Sequence, residues 1–558
     1  MACSKIFSGE LPELLSDIMQ YFRNDFSTLH SCILVNRLWC HLAIPLLWEN
    51  PFSIISHKNY YNIEYHEIRF IENYLINLND NDKIKLNEFG INHLTPSNTL
   101  FNYPGFIQHL DAHLIGDCIE NWVAAVKKNE QCLLLFLKNT QNLDFIKFFH
   151  KLLIKIFIEN KANLYAFDIT YHHKYFDINS ESVLQSSNFI YNIKILYLDI
   201  NAPLLKFLSS NCNSISSLHI SNFVKYKDST AIEYLSQLIK SQKNLKKICF
   251  IDEIPPILLN FNCSNTLNTI IFCDIDFKDI NNLNEVFEEL NVLESIHIIN
   301  CYSLGSNFIQ QIINSIKPFK LKSLIIDEIF ESIDLLLQKS GDYLENFGLS
   351  FEPNTFYYGV LDSQFLESKS KILKLITRYC TKIKFFKLTE FSNQNIYLTF
   401  NLIENIKQNL NYLTIDTNYD FGSGLDTELG SIILQNLGQI LPFKLEYLDL
   451  TLVMNTTDFE IFLINSQNTF IEKLLLSNKM DRKREKVGQD NMLSNIKEYI
   501  MKMKRVKYFA FKNHFFTDAY GHKELFYLKD EVKEFKLYSI VIQNYNDLKI
   551  KFFEFISD

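Results

Sequence analysis

Glycine and proline are the first shortages, with 14 and 11 in 558 residues. A turn-dense β-sandwich needs more of both. Helices and strands joined by short polar connections remain, with asparagine supplying many of the turns. The eleven cysteines are an odd number, scattered, and include no C-x-x-C pair, which argues against a disulfide framework or a zinc site. No stretch of about eighteen uninterrupted apolar residues occurs, so no transmembrane helix is expected. The opening MACSKIFSGELPE has one lysine, an early glutamate and no apolar run, so no signal peptide is expected either. The expected location is cytoplasmic and/or nuclear. A formal charge of −9 leaves no general basic footprint, so neither nucleic acid nor membrane is an expected partner. G-x-x-x-x-G-K-[ST], G-x-S-x-G, H-E-x-x-H and strand-borne G-x-G-x-x-G are all missing, and neither an enzyme nor a cofactor is expected.

What the chain does have is 47 % hydrophobic residues, which suits a packed protein, and length enough for several domains or one long array. The densest stretch is Leu11 to Pro51. Pro12 suits a helix start, and Leu14, Leu15, Ile18, Tyr21 and Phe22 follow at helical spacing. Ser27 reads as the N-cap of a second helix bearing Leu29, Cys32 and Ile33. A third carries Trp39, Leu42, Ala43 and Leu46, with Pro45 breaking or capping it. Three helices in some forty residues need a partner to bury so much apolar surface.

This stretch resembles an F-box, expected over 9–52. The matching residues are Leu11-Pro12-Glu13-Leu14-Leu15, Ile18, Leu34-Val35 ahead of Trp39, and Leu47-Trp48. The pattern departs where Leu38 replaces the usual basic residue, Arg37 standing one place earlier. The resemblance implies docking to the small linker subunit of a cullin–RING (SCF-type) ubiquitin ligase through Leu11, Pro12, Ile18, Leu29, Val35, Trp39 and Trp48. An ordinary three-helix cap on a larger domain is the alternative.

From 53 to 160 a mostly helical linker is expected. Asn77 to Asn92 reads as an exposed loop, and Leu114 to Val126 as a helix with Trp122 on its apolar face. Leu143 to Ile158 spaces Lys147, Lys151 and Lys155 four apart. So narrow a polar stripe suits a helix buried on three sides better than one lying on a membrane.

From 161 to 558 one signature, L-x-x-L-x-L with Ile, Phe and Val replacements, returns about fourteen times at a mean interval of about 28 residues. It runs from Leu164-Phe167-Ile169, through sets such as Leu410-Leu413-Ile415 and Leu445-Leu448-Leu450, to Val532-Phe535-Leu537. Helical periodicity fills the gaps. Such units bury their apolar sides only by stacking, with a parallel sheet on one face and helices on the other. They resemble leucine-rich repeats of the cysteine-containing kind, Cys212, Cys301 and Cys380 standing beside strand anchors. The expected class is α/β: a three-helix module, a helical linker, and a leucine-rich-repeat solenoid with a concave sheet and convex helices.

Together the resemblances imply a non-catalytic substrate adaptor whose partners are the linker subunit, the cullin and an unidentified target protein. A protein-binding scaffold without ubiquitin transfer is the alternative. Strand positions alternating with the apolar ones face away from the helices. They place target binding at Tyr412, Asp416, Tyr447, Asp449, Lys473, Tyr508, Lys512, Lys536 and Tyr538, with Asp416 and Asp449 facing Lys473 and Lys512. Ile251, Ile271, Ile299 and Ile325 offer an apolar floor, or are covered by a loop or by the chain's own terminus. Cys40-His41 and His172-His173 lack a third ligand at a usable spacing. Phe421 to Gly424 reads as a surface turn, and the basic run Lys479 to Lys486 as a solvated loop or a nuclear localisation patch.

Overall fold

The computed structural model describes residues 12–23, 25–54, 68, 70–76, 78–89, 91, 99–126, 140–170, 186–199, 202–221, 229–253, 265–281, 283–326, 330, 332–349, 363–389, 395–417, 425–479, 489–501, 505–513 and 524–557. Leu11, His172-His173, Phe421 to Gly424 and the basic run beyond Lys479 lie outside them. Two compact units are present, Met1–Leu267 and Asn268–Asp558.

The first unit opens with three helices, α1 (Pro12–Gln20), α2 (Phe26–Ile33) and α3 (Arg37–Trp48). Pro12 begins α1, where its missing N–H goes unmissed. The cap of α2 is Asp25 rather than Ser27: its carboxylate accepts from the Thr28 N–H at 3.0 Å and the Thr28 hydroxyl at 2.7 Å. Asn36 caps α3, accepting from the Trp39 N–H at 3.0 Å. Pro45 does not end α3, which runs on to Trp48. A proline inside a helix removes one backbone bond, and here the helix tolerates it. Leu15, Met19, Leu29, Cys32, Ala43 and Leu46 close a small core beneath the three helices.

The stretch expected as a loop contains a helix, Asp80–Glu88. Asn79 caps it, accepting from the Asp82 N–H at 2.8 Å, and Asp80 and Asp82 complement the helix dipole. The helix Thr140–Glu159 buries Phe145, Phe149, Leu152, Leu153, Ile156 and Phe157, while Lys155 reaches Asp82 at 2.9 Å. Strands β1 (His109–Asp111), β2 (Ala166–Ile169), β3 (Ile195–Asp199), β4 (Ser217–Ser221) and β5 (Lys247–Ile251) follow, parallel and in sequential order. Their register aligns Leu110, Phe167, Leu196, Leu218 and Ile248 in one buried row.

The second unit holds β6 (Thr269–Cys273), β7 (Ser295–Ile299), β8 (Leu321–Ile326), β9 (Asn346–Leu349), β10 (Phe385–Thr389), β11 (Tyr412–Asp416), β12 (Lys444–Leu452), β13 (Phe470–Asn478), β14 (Val506–Asn513) and β15 (Val541–Ile542). Each is parallel to the next, and helices such as Ser363–Tyr379, Leu425–Ile440 and Thr456–Asn465 form the crossovers. Leu324, Phe347, Phe386, Leu413, Leu448, Leu474 and Phe509 sit opposite one another across seven strands, all buried. Both units are therefore stacks of strand-and-helix repeats of the leucine-rich kind, and thirteen of the strands carry the apolar signature read from the sequence.

Two strands differ from that reading. His109–Asp111, with one core-facing residue, carries no signature. Val532-Phe535-Leu537 is not a strand but part of a helix, Lys529–Leu537, and Ile542 of β15 pairs with Phe509 instead. The eight cysteines among the described residues are free thiols, seven of them buried. Burial pushes the Cys212 thiol up to about 11 and the Cys380 thiol up to about 12, which leaves both unreactive. None of the described helices is long and apolar enough to cross a membrane.

Candidate functional site

On the N-terminal helices, the closed core leaves large aliphatic groups outside. Leu14 is 44 % exposed, Leu34 75 % and Val35 51 %. Leu34 and Val35 occupy the turn between α2 and α3, where polar residues are the rule. Pro12 is exposed on the first turn of α1, and Ile18 and Trp39 are half-buried. Leu29 is in the core, so it is not available to a partner and its placement as a docking residue is corrected. Trp48 is turned inward as well, tilted against Tyr103 at 4.1 Å and edge-on to Tyr74 at 5.6 Å. Leu11 lies outside the described residues. Glu49, directly after α3, ties these helices to the first strand: its carbonyl accepts from the Gln108 and His109 N–H groups, and its carboxylate meets the Arg23 guanidinium at 2.6 Å. Burial, opposed by Arg23, pushes the Glu49 carboxyl up to about 7.

In the second unit the face of the sheet turned away from the helices carries the residues expected to hold a target. One row is Tyr412, Tyr447, Lys473 and Tyr508; the next is Thr414, Asp449, Leu475 and Ala510; the third is Asp416, Thr451, Ser477 and Lys512. The alternation is as read, but this face is not open. Tyr447 is 1 % exposed and Asp449 2 %. A segment of the same chain, Tyr545 to Ser557, lies on it, with short helices at Tyr545–Leu548 and Phe552–Ser557. Tyr447, Leu475, Ala510, Tyr545 and Leu548 share one buried cluster, with Tyr412, Tyr508 and Ile550 packed at its edge.

The polar contacts within that cluster are specific. The Tyr545 hydroxyl donates to Asp449 Oδ1 at 2.5 Å and lies 2.9 Å from Thr451 Oγ1, and the Ile550 N–H donates to the Tyr447 hydroxyl at 3.3 Å. Phe555 stands edge-on to Tyr412 at 4.8 Å, and Phe552 lies 4.7 Å from Phe385. The pairing of Asp416 and Asp449 with Lys473 and Lys512 is corrected. Asp416 meets Lys479 at 2.9 Å, Asp449 meets Tyr545, and Lys512 sits over the Tyr545 ring at 5.9 Å. Lys536 and Tyr538 do not share the face either. Lys536 is in the last turn of the helix Lys529–Leu537 and Tyr538 follows it as the C-cap. Sequence reasoning missed Tyr545, although the apolar spacing Tyr545, Leu548, Ile550, Phe552, Phe555 signals a segment that needs a surface.

Ile271, Ile299 and Ile325 are also buried, Ile251 half-buried; a Cβ on Gly348 would come within 2.7 Å of the Ile325 side chain, so the isoleucine lies across the glycine. In the first unit the outward face carries Asp111 opposite Asp168, and then Tyr197 stacked on His219 at 4.1 Å. Burial first, then the Asp111 and Asp199 carboxylates, push Asp168 up to about 7. Among the described residues no group of three or more His, Cys, Asp or Glu is placed to hold a metal ion.

No family model matches the chain, and no curated protein does. Among solved structures it is similar to the leucine-rich repeat-containing protein LegL7 from Legionella pneumophila, at 13 % identity over 61 % of this chain and 93 % of that one, with a TM-score of 0.28.

Proposed function

We propose that the chain is a non-catalytic substrate adaptor of an SCF-type ubiquitin ligase. In this reading α1–α3 dock the small linker subunit that joins the cullin, and the repeats capture a target protein. The chain contributes proximity and orientation, and the ligase's other subunits supply the chemistry. The observation that supports it most is that Leu14, Leu34 and Val35 are each left exposed by a core that is already closed. Aliphatic anchors of this kind carry a disproportionate share of an interface's affinity.

The inward positions of Leu29 and Trp48 favour a second reading, in which the helices cap the first repeats of a scaffold that never meets a ligase. Replacing Leu34 and Val35 together with Asp separates the two. Both side chains are exposed, so the fold is expected to survive while linker-subunit co-precipitation is lost. Unchanged co-precipitation by the double variant would leave the scaffold reading in its place.

A further inference from the structure

We infer that the outward face of β10–β14 is a peptide-binding surface and that the segment Tyr545 to Ser557 is its tethered, displaceable ligand. The external partner it fits is a segment of the same chemistry: a tyrosine, aliphatic residues three and five places on, and then phenylalanines, with lysines between them. This inference makes no use of α1–α3, and its readout is separate from linker-subunit binding.

The segment is ordered by the surface and not by itself. Its helices, Tyr545–Leu548 and Phe552–Ser557, are far too short to persist alone, because helix nucleation is unfavourable and few bonds follow it. It adds no strand to the sheet after Val541–Ile542. It holds on mainly through side chains, much as a peptide in a groove does: Tyr545 on Asp449 and Thr451, Leu548 in one cluster with Leu475 and Ala510, Phe552 on Phe385, Phe555 on Tyr412, with one backbone bond from the Ile550 N–H to the Tyr447 hydroxyl. A mainly apolar floor with a few placed polar groups is the composition of a recognition site.

Asp449 is the second point. A carboxylate at the middle of a buried patch is a poor way to stabilise a core, since its desolvation offsets most of what its partners return. It does discriminate, because a ligand without a hydroxyl at that place leaves the carboxylate unmet. Charge is complementary as well: Lys549 lies near enough to Asp449 to act on its carboxyl. Tethering gives the segment an effective concentration of roughly millimolar order, so an external peptide of equal intrinsic affinity is largely excluded until the segment leaves.

The test uses the full chain and a fluorescent synthetic peptide of residues 543–557. A host carrying Tyr545→Ala, Phe552→Ala and Phe555→Ala weakens the resident segment and leaves the sheet untouched. This host is expected to bind the wild-type peptide at least tenfold more tightly than the unaltered chain does, and Asp449→Ala added to the host is expected to remove the gain. Equal peptide binding by host and unaltered chain overturns the inference. A host that fails to fold overturns it too, since the segment is then part of the core. Hydrogen exchange on the unaltered chain decides independently: amides of 545–557 are expected to open before those of β12 and β13, and exchange only together with those strands overturns displaceability.

Discussion

Asp168 shows how one carboxylate couples the outward face of the first unit to pH. It accepts from the Thr170 N–H at 2.9 Å and the Thr170 hydroxyl at 2.7 Å, yet burial and two neighbouring carboxylates raise it from 3.8 to about 7. Between those two values the folded chain holds more protons than the unfolded one, so stability falls as pH rises through that window. Asp168→Asn keeps an oxygen for Thr170 and removes the charge. It is expected to raise stability by about 1–2 kcal/mol at pH 8, water and the Thr170 bonds at this half-buried carboxyl having weakened the effect, and to change it little at pH 4.5. Urea melts at the two pH values measure this; an equal effect at both would show that charge is not the cause. Leu448 poses the opposite case, an aliphatic group wholly enclosed between Leu413 and Leu474. Leu448→Ala is expected to cost about 2–5 kcal/mol through the cavity it leaves, read from the same melts.

At the scale of elements, the L-x-x-L-x-L spacing was a reliable guide because two tests agree in a strand: alternate residues face the helices, and each anchor meets an anchor on the next strand. The same spacing failed at Val532-Phe535-Leu537, since its first interval of three also fits one face of a helix. Acidic residues at Asp530 and Glu531 and a lysine at Lys536 suit the two ends of a helix dipole, and those charges were the signal to weigh. The structure puts Phe535 in the core and leaves Leu537 81 % exposed. Phe535→Ala is therefore expected to destabilise by about 3–5 kcal/mol and Leu537→Ala by less than about 0.5 kcal/mol. A strand would have made the two substitutions comparably damaging, so thermal melts of the pair check the assignment. The loop assigned to Asn77–Asn92 failed for a related reason: its Asn and Asp residues are helix-start chemistry as much as turn chemistry. The candidate face was legible as rows of residues, but its occupant was not, because the partner of Asp449 lies 96 positions further along the chain.

For the molecule as a whole, two surfaces have opposite characters. Leu14 on α1 and Leu34 and Val35 in the turn after α2 are bare, whereas the face of the sheet in the second unit already holds a segment. Closure of that segment is expected to depend on pH through Asp449, which burial raises to about 6. The groups that face it are known from each element packed around it: the Tyr447 hydroxyl on its own strand, Asp416 on β11, and Tyr545 and Lys549 on the segment. Burial and Asp416 raise the carboxyl; the hydroxyls and Lys549 lower it. With the segment away, Asp449 faces water and returns toward its ordinary 3.8, so the closed form holds the extra proton between pH 3.8 and 6. Closure therefore strengthens as pH falls through that window and weakens as it rises. The opening equilibrium of 545–557, read by hydrogen exchange after correction for the intrinsic rate, is expected to be about tenfold smaller at pH 5 than at pH 7.5. Asp449→Asn, which still accepts a bond from Tyr545 but does not titrate, is expected to abolish the difference. An opening equilibrium that is the same at both pH values in the unaltered chain would mean that Asp449 remains hydrated beneath the segment, and that the tyrosine hydroxyl is not seated on it in solution.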